Sequence, residues 1–466
     1  MDLFSAIILL LLLVFGSSLN WKLSVKTVLV LVVIEGALRR WAFPQARELI
    51  YFFRDFILIG AYLSFFSRSP PLVDRYPSIK LLTIVATVLC FLQALNPSLG
   101  SFIVGIFGLR AYLLYIPLVW VVPHLFDSGD DLRNFLRNYL LLIIPVCTLG
   151  IVQYFSPADS PLNVYAPDLS AATASVGEFI RITGTFSYLA GMTVFLSVCF
   201  SLLIVFVSLE RTLIWKIVYA LLLSLVVINS FMTGSRGLIL YEVLFLIGYC
   251  LLLLFNQPKA FFSFAGRLLI SGVLATIIAL NYFPQSIDAF VGRATGSGDS
   301  VGDRIAGSFT QVFDYGAMGS IGYGTGATQP GASALRQVFK LPPGAPLPPS
   351  EGETGRVFIE LGIAGFLVWY GLRIVLLLSL FSVFLRLKKP FYQRLAIAIF
   401  LFQSINMTGQ LVTNPTMMAY FWFFSGFIYL LPILEAKDSN EYSFPERRNR
   451  FLRPVHPIPH SPYSDS

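Results

Sequence analysis

Residues 213–255 read LIWKIVYALLLSLVVINSFMTGSRGLILYEVLFLIGYCLLLLF. Two apolar runs, 213–232 and 237–255, each supply close to the roughly 20 residues that a helix needs to cross a hydrocarbon core, and only TGSRG stands between them. The reading is two successive transmembrane helices joined by a tight turn. That turn holds one arginine, Arg236, with no acidic residue closer than Glu242.

The pattern extends over the whole chain. Of 466 residues 56% are hydrophobic and 12% charged, with a mean hydropathy of +0.75, outside the range of soluble domains of this length. Further runs fall at 3–19, 23–38, 49–66, 80–95, 102–123, 139–155, 186–208, 267–283, 357–385, 393–411 and 416–434. The expected fold is an all-α polytopic membrane protein of about 12–13 transmembrane helices. The opening MDLFSAIILLLLLVF has an acidic leader and no small-residue cleavage pattern, so it is read as a span rather than a removed signal. The expected organisation is N-terminal helices over 1–155, central helices with a first loop over 156–283, a large loop over 284–356, C-terminal helices over 357–434 and a disordered tail over 435–466.

Cys90, Cys147, Cys199 and Cys250 all fall in spans, where they act as small apolar residues and imply no disulfide framework. His124, His456 and His460 have no metal-ligand spacing, and no metal or cofactor is expected.

Lys and Arg gather in alternate short loops: Arg68, Arg75 and Lys80; Arg133 and Arg137; Arg211 and Lys216; Lys259 and Arg267; Arg386, Lys388, Lys389 and Arg394. Together with tail residues Arg447, Arg448, Arg450 and Arg453, these are expected on the cytoplasmic side, with the N terminus outside. The net charge of +8 is thereby explained by topology and a basic tail near anionic lipid, and no nucleic-acid partner is expected. Two long segments, 156–185 and 284–356, fall on the outer side, the second ending in the proline-rich KLPPGAPLPPSEGETGR.

Against this rule stand Arg39, Arg40, Arg181, Arg236 and Arg356 at outer ends of spans, and Arg54, Asp55, Arg110, Glu242 and Glu360 within outer halves. Such groups cost several kcal/mol at membrane depth, about 2.5–3.5 at a helix centre, and normally face a partner or a watered cavity. A collection this one-sided predicts a polar chamber open to the outer face, with an excess of arginine suited to an anion. The alternative for each arginine is snorkelling or an ion pair, as for Arg54 with a carboxylate on a neighbouring helix. Arg373, deeper in its span, is read as structural. Guanidinium offers phosphate a charged bidentate fork. The backbone of TGSRG at a helix start would add N–H donors, with Gly234 and Gly237 permitting close approach.

Taken together, RITGTFSYLAGM, TGSRG, IGYGTGA and ETGRVFIELGIAGF resemble, in order and spacing over roughly residues 135–430, the O-antigen ligase and Wzy-type polymerase family of membrane glycosyltransferases. EGALRRWAFP, YFFRDFILIGAY and GLRAYLLYIPL look similar to a bacterial exopolysaccharide or O-antigen polymerase branch of cyanobacterial type. The resemblance implies a GT-C-like fold with one large periplasmic loop, multi-pass in the bacterial inner membrane. It implies a metal-independent enzyme polymerising undecaprenyl-pyrophosphate-linked oligosaccharide repeat units at the periplasmic face. The implied partners are that donor, an acceptor glycan, the lipid bilayer, and flippase and chain-length regulator proteins. Arg181 and Arg236 match arginines that bind the lipid pyrophosphate in the ligases, and Arg39, Arg40, Arg54, Arg110 and Arg356 are candidate helpers.

The ligases carry a histidine before the segment matching ELGIAG, where this chain reads PPSEGETGR. Glu353 or Glu351 is the expected general base here, with Arg356 stabilising the leaving group. Gly322, Gly324 and Gly326 lack the Lys-Ser/Thr of a nucleotide loop and are expected to be flexible backbone along the glycan path. The competing readings are an O-antigen ligase or protein O-glycosyltransferase, sharing the donor, and a transporter or flippase, for which no internal repeat is visible.

Overall fold

A computed structural model describes residues 3–68, 75–166, 173, 175–176, 179–259, 261–262, 264–266, 307, 321–348, 350 and 352–450, the last eleven by backbone alone. In chain order the helices are α1 Leu3–Leu19, α2 Trp21–Ala37, α3 Arg47–Ser67, α4 Pro77–Ala94, α5 Phe102–Leu113, α6 Leu118–Val121, α7 Gly129–Leu140, α8 Ile143–Tyr154, α9 Leu189–Leu209, α10 Leu213–Met232 and α11 Arg236–Asn256. There follow α12 Ala332–Phe339, α13 Glu353–Arg386, α14 Pro390–Ile405, α15 Pro415–Ser425 and α16 Phe427–Arg450. Taking α5–α6, α7–α8 and α15–α16 as continuous, nine helices among the described residues are long and apolar enough to cross a membrane. The chain is an all-α multi-pass membrane protein. α1, α2 and α14 are apolar but have only 17, 17 and 16 residues; the expected run 267–283 lies outside the described residues.

Burial sorts the helices. In α9, 78% of the apolar window is buried, and in Pro415–Ser439 89%, against 22% in α4 and 28% in α10. The first two form the centre, and the rim helices turn Leu81, Ile84, Leu213 and Leu221 outward. Only a hydrocarbon solvent accommodates that much exposed apolar surface. Inside, hydroxyls clasp neighbouring helices: Ser201 to Tyr241 at 2.6 Å and Ser208 to Tyr249 at 3.0 Å join α9 to α11, and Tyr139 to Tyr420 at 2.5 Å joins α7 to α15.

Polar contacts between helix ends divide the molecule into two faces. At one, Arg394 donates to Ser208 O (2.7 Å), Arg137 pairs with Glu210 (3.8 Å), Lys389 with Asp438 (3.6 Å), and Lys22 with Asp127 (2.7 Å). The other, here the loop face, carries the turn after α2, the described residues of 156–187, the TGSRG turn, the described residues of 321–352 and the α14–α15 connection. Of these cations, Arg137, Lys389 and Arg394 are ones that the loop alternation assigned to a single side.

Two boundaries differ from expectation. The span expected from 139 begins at Gly129, because Ser128 caps Asp131 N (3.2 Å) and two aspartates occupy the first turn. Arg133 and Arg137, expected in a loop, therefore lie on α7, over the rings of Phe391 (4.6 Å) and Trp215 (4.4 Å). At the other end, helix continues beyond 434 to Arg450.

Candidate functional site at the loop face

The first cluster lies where α2 gives way to a π turn, Leu38–Ala42, in which consecutive Arg39 and Arg40 are both buried. Glu35, one helical turn before Arg39, pairs with Arg39 Nη1 at 3.5 Å and with Arg54 Nη1 of α3. Asp55 pairs with Arg110 of α5 and accepts from Tyr115 OH at 3.3 Å. The Tyr51 ring lies 5.1, 5.3 and 4.6 Å from the guanidinium carbons of Arg39, Arg54 and Arg110. Three cations thus share two carboxylates and an aromatic face, as the ion-pair alternative anticipated for Arg54. Glu35 was missed in the sequence, although its i,i+4 spacing from Arg39 is the signal for it.

The second cluster is built on the buried segment Ile180–Phe186. Gln153 of α8 brackets it, with Oε1 accepting from Thr183 N (3.2 Å) and Gly184 N (2.7 Å) and Nε2 donating to Gly184 O (3.2 Å). Arg40 donates to Thr183 Oγ1 (3.0 Å) and to Gly184 O, and Arg39 to Ser187 Oγ (3.0 Å). The segment runs so close to α2 that a Cβ on Gly36 would sit 2.3 Å from Ser187 N. Held this way, Arg181 Nε donates to Thr233 O at 3.1 Å, which joins the RITG and TGSRG motifs.

TGSRG itself is a stop and a start. Gly234, at φ +61°, ends α10 in the left-handed conformation that glycine adopts without strain. Ser235 then caps α11 by accepting from Leu238 N (3.3 Å), and Arg236 is the first helical residue. Beneath the turn, Ser230 Oγ donates to the Glu242 carboxylate at 2.6 Å. Arg181 and Arg236 are both half-buried beside the positive end of the α11 dipole, where a cation is disfavoured and an anion stabilised. Burial also pulls the Arg181 guanidinium below the usual arginine range. Among the described residues no carboxylate pairs with Arg181.

The third cluster surrounds the start of α13. Glu353 is buried, and its Oε1 accepts from Leu411 N (3.0 Å) and Val412 N (2.6 Å), while no hydrogen bond reaches Oε2 among the described residues. Arg356 Nη1 donates to Thr328 O at 3.1 Å. Glu360 Oε1 accepts from both Thr328 N and Thr328 Oγ1 at 2.8 Å. Arg373 is fully buried, donating to Asn406 O (2.8 Å) between the rings of Tyr370 and Phe421. Glu351 lies outside the described residues.

The glycine loop differs from its expected flexibility. Gly322, Gly324 and Gly326 have φ of 90°, 100° and 89° and pack against Gln93 of α4, Val104 and Gly108 of α5, and Glu360 and Gly362 of α13. Tyr323 N and Gly324 N donate to Ile359 O (2.8 Å) and Glu360 O (3.0 Å), where α13 is interrupted at Gly362 (φ 68°, ψ −176°). The loop satisfies carbonyls that the interrupted helix leaves unpaired. The repeated glycines are required because this backbone is closed to residues with a side chain.

The expected chamber residues therefore fall into three groups. Arg39, Arg54 and Arg110 are neutralised in large part by carboxylates, and Arg40 is spent on loop oxygens. Arg181 and Arg236 share one turn, and Glu353 and Arg356 share the start of α13. The groups adjoin, since Val412 binds Glu353, Asn414 Nδ2 donates to Ala190 O (3.1 Å), and Ser187 binds Arg39. Comparison of the chain with known protein families, with curated proteins and with solved structures gives no match in any of the three.

Proposed function

We propose that this chain is a metal-independent membrane glycosyltransferase, GT-C-like in fold, that polymerises undecaprenyl-pyrophosphate-linked oligosaccharide repeat units at the periplasmic face of a bacterial inner membrane. The observation that carries the reading is the Arg181–Thr233 bond, which brings two motifs 52 residues apart into one turn with Arg236 at a helix start. Two guanidinium groups beside a helix N-terminus suit a pyrophosphate. The basic loops of the opposite face, by the positive-inside rule, favour a periplasmic loop face.

In this reading an acceptor hydroxyl oxygen attacks the anomeric carbon of the donor sugar. The carbon–oxygen bond to the pyrophosphate breaks, and undecaprenyl pyrophosphate departs with the electron pair. Arg181 and Arg236 neutralise the charge that develops on it, and the scaffold aligns two substrates that need little further activation. Glu353 is the candidate acceptor of the hydroxyl proton, through Oε2, while its Oε1 keeps the 411–412 turn in place. Arg356 is the helper nearest to it.

The interruption of α13 at Gly362 favours a second reading as a transporter, since discontinuous helices line many substrate paths. Deleting the gene and analysing the lipid-linked intermediates separates the possibilities. Accumulated single repeat units at the periplasmic face support polymerisation. Long undecaprenyl-linked chains that fail to reach an acceptor point to a ligase, and units trapped on the cytoplasmic side overturn both enzyme readings in favour of a flippase.

A further inference from the structure

At the face opposite the loops, the start of α2, the end of α3, residues 123–127 and α16 border an open cavity of about 450 Å³. Among the described residues its charged lining consists of Lys22, Arg68 and Lys437 against one carboxylate, Asp127, with the His124 imidazole beside them. Three permanent cations and one anion among the described residues leave two net positive charges around one cavity. Lys22 Nζ pairs with Asp127 Oδ1 at 2.7 Å, and Lys437 Nζ donates to Asp127 O at 3.4 Å, so both amino groups converge on one turn. Arg68 closes the last turn of α3 and is exposed.

The inner wall is apolar and fixed. Trp21 and Phe65 meet edge to face at 5.0 Å, Phe65 lies 5.4 Å from the His124 ring, and Phe126 is held under Lys26 at 4.8 Å. Immediately beside the cavity Leu19, Leu23 and Phe66 are turned outward and exposed, on the surface that hydrocarbon covers. Cationic lining, aromatic wall and lipid-facing flank occur at one level, that of the helix ends.

We propose that this cavity binds the phosphate headgroup of an anionic membrane lipid, whose acyl chains lie along the apolar flank formed by Leu19, Leu23 and Phe66. The phosphate sits among Lys22, Arg68 and Lys437, and Asp127 orients the two amino groups that it faces. A soluble phosphate ester would find the same cations but no use for the flank, so the amphiphilic surroundings select the lipid. The site is independent of glycosyl transfer and lies at the other end of the helices from Arg181 and Arg236.

The test uses the full-length protein, stripped of lipid in detergent and titrated with phosphatidylglycerol or phosphatidylcholine under native mass spectrometry. One phosphatidylglycerol is expected to be retained in preference to phosphatidylcholine. Lys22→Ala and Lys437→Ala are each expected to weaken it about five-fold. Arg68→Ala, at an exposed position, should do the same without touching the packed interior. Lys216→Ala, an exposed cation of the same face outside the cavity, should leave retention unchanged. Equal retention of the two lipids, or no effect of Arg68→Ala, overturns the proposal. Displacement by sn-glycerol 3-phosphate at concentrations comparable to the lipid overturns the lipid as the ligand in favour of a free phosphate ester.

Discussion

Arg181 and Arg236 are set apart from Arg39, Arg54 and Arg110 by their place at one turn. Arg39, Arg54 and Arg110 answer to Glu35 and Asp55, whereas Arg181 rests on the Thr233 carbonyl and Arg236 begins α11. Replacing Arg236 by Ala is therefore expected to lower polymerising activity by roughly 10²–10³-fold, the range for removing one preorganised donor to a developing anion. Arg236→Lys should fail similarly because a point charge lacks the fork, and both variants should accumulate in the membrane at wild-type levels. Full activity in either one reduces TGSRG to a turn. Glu35→Ala should behave in the opposite way, removing the buried partner of Arg54 and Arg39 and costing about 3–5 kcal/mol of stability. A thermal unfolding midpoint equal to that of wild type would show that the network contributes nothing. The arginines were legible in the sequence because they violate the charge rule of the loops. Gln153 was not, since a single polar residue inside an apolar run reveals its partners only when distant segments fold onto it, and Glu35 shows in the sequence its i,i+4 spacing from Arg39 but not its pairing with Arg54.

At the scale of elements, turns and interruptions carry the site. Gly234 ending α10 and Ser235 capping α11 follow from local chemistry and could be read from TGSRG alone. The interruption of α13 could not, because ELGIAGF has the hydropathy of an unbroken span. The IGYGTGA loop, arriving from more than thirty residues upstream, offers hydrogen bonds to replace those lost at Gly362, and Gln93 of α4 adds one to Leu361 O at 3.4 Å. Gly322→Ala tests this pairing. The new Cβ would stand 2.7 Å from Gly362 N at a φ of +90°, so the variant is expected to lose about 1–3 kcal/mol of stability. Faster proteolysis within 321–348 and a lowered unfolding midpoint are the expected results, and unchanged values of both would mean that the loop does not hold the interrupted helix. The early start of α7 has a comparable origin, since Ser128 and two aspartates begin a helix that hydropathy does not register.

At the scale of the whole molecule, polytopic architecture was legible from composition and run length, because hydrocarbon permits few structures other than apolar helices. Two-sidedness was legible too, and the ion pairs of Arg137 and Lys389 on the face opposite the loops hold cations that the loop alternation had grouped together. Its absolute sense is open to labelling in intact cells with a membrane-impermeant maleimide. Lys340→Cys, exposed on the loop face, should react from outside, and Lys388→Cys, exposed on the opposite face, only after the membrane is opened. The reverse result would put the arginine turn in the cytoplasm. The central claim is that this scaffold joins lipid-linked glycans at the Arg181–Arg236 turn. The purified full-length protein, supplied with an undecaprenyl-pyrophosphate-linked repeat unit, should yield a ladder of longer lipid-linked glycans and release one undecaprenyl pyrophosphate per bond formed, and the Arg181→Ala, Arg236→Ala double variant should yield neither. A wild-type reaction without ladder or released pyrophosphate, or a ladder that survives in the double variant, would contradict it.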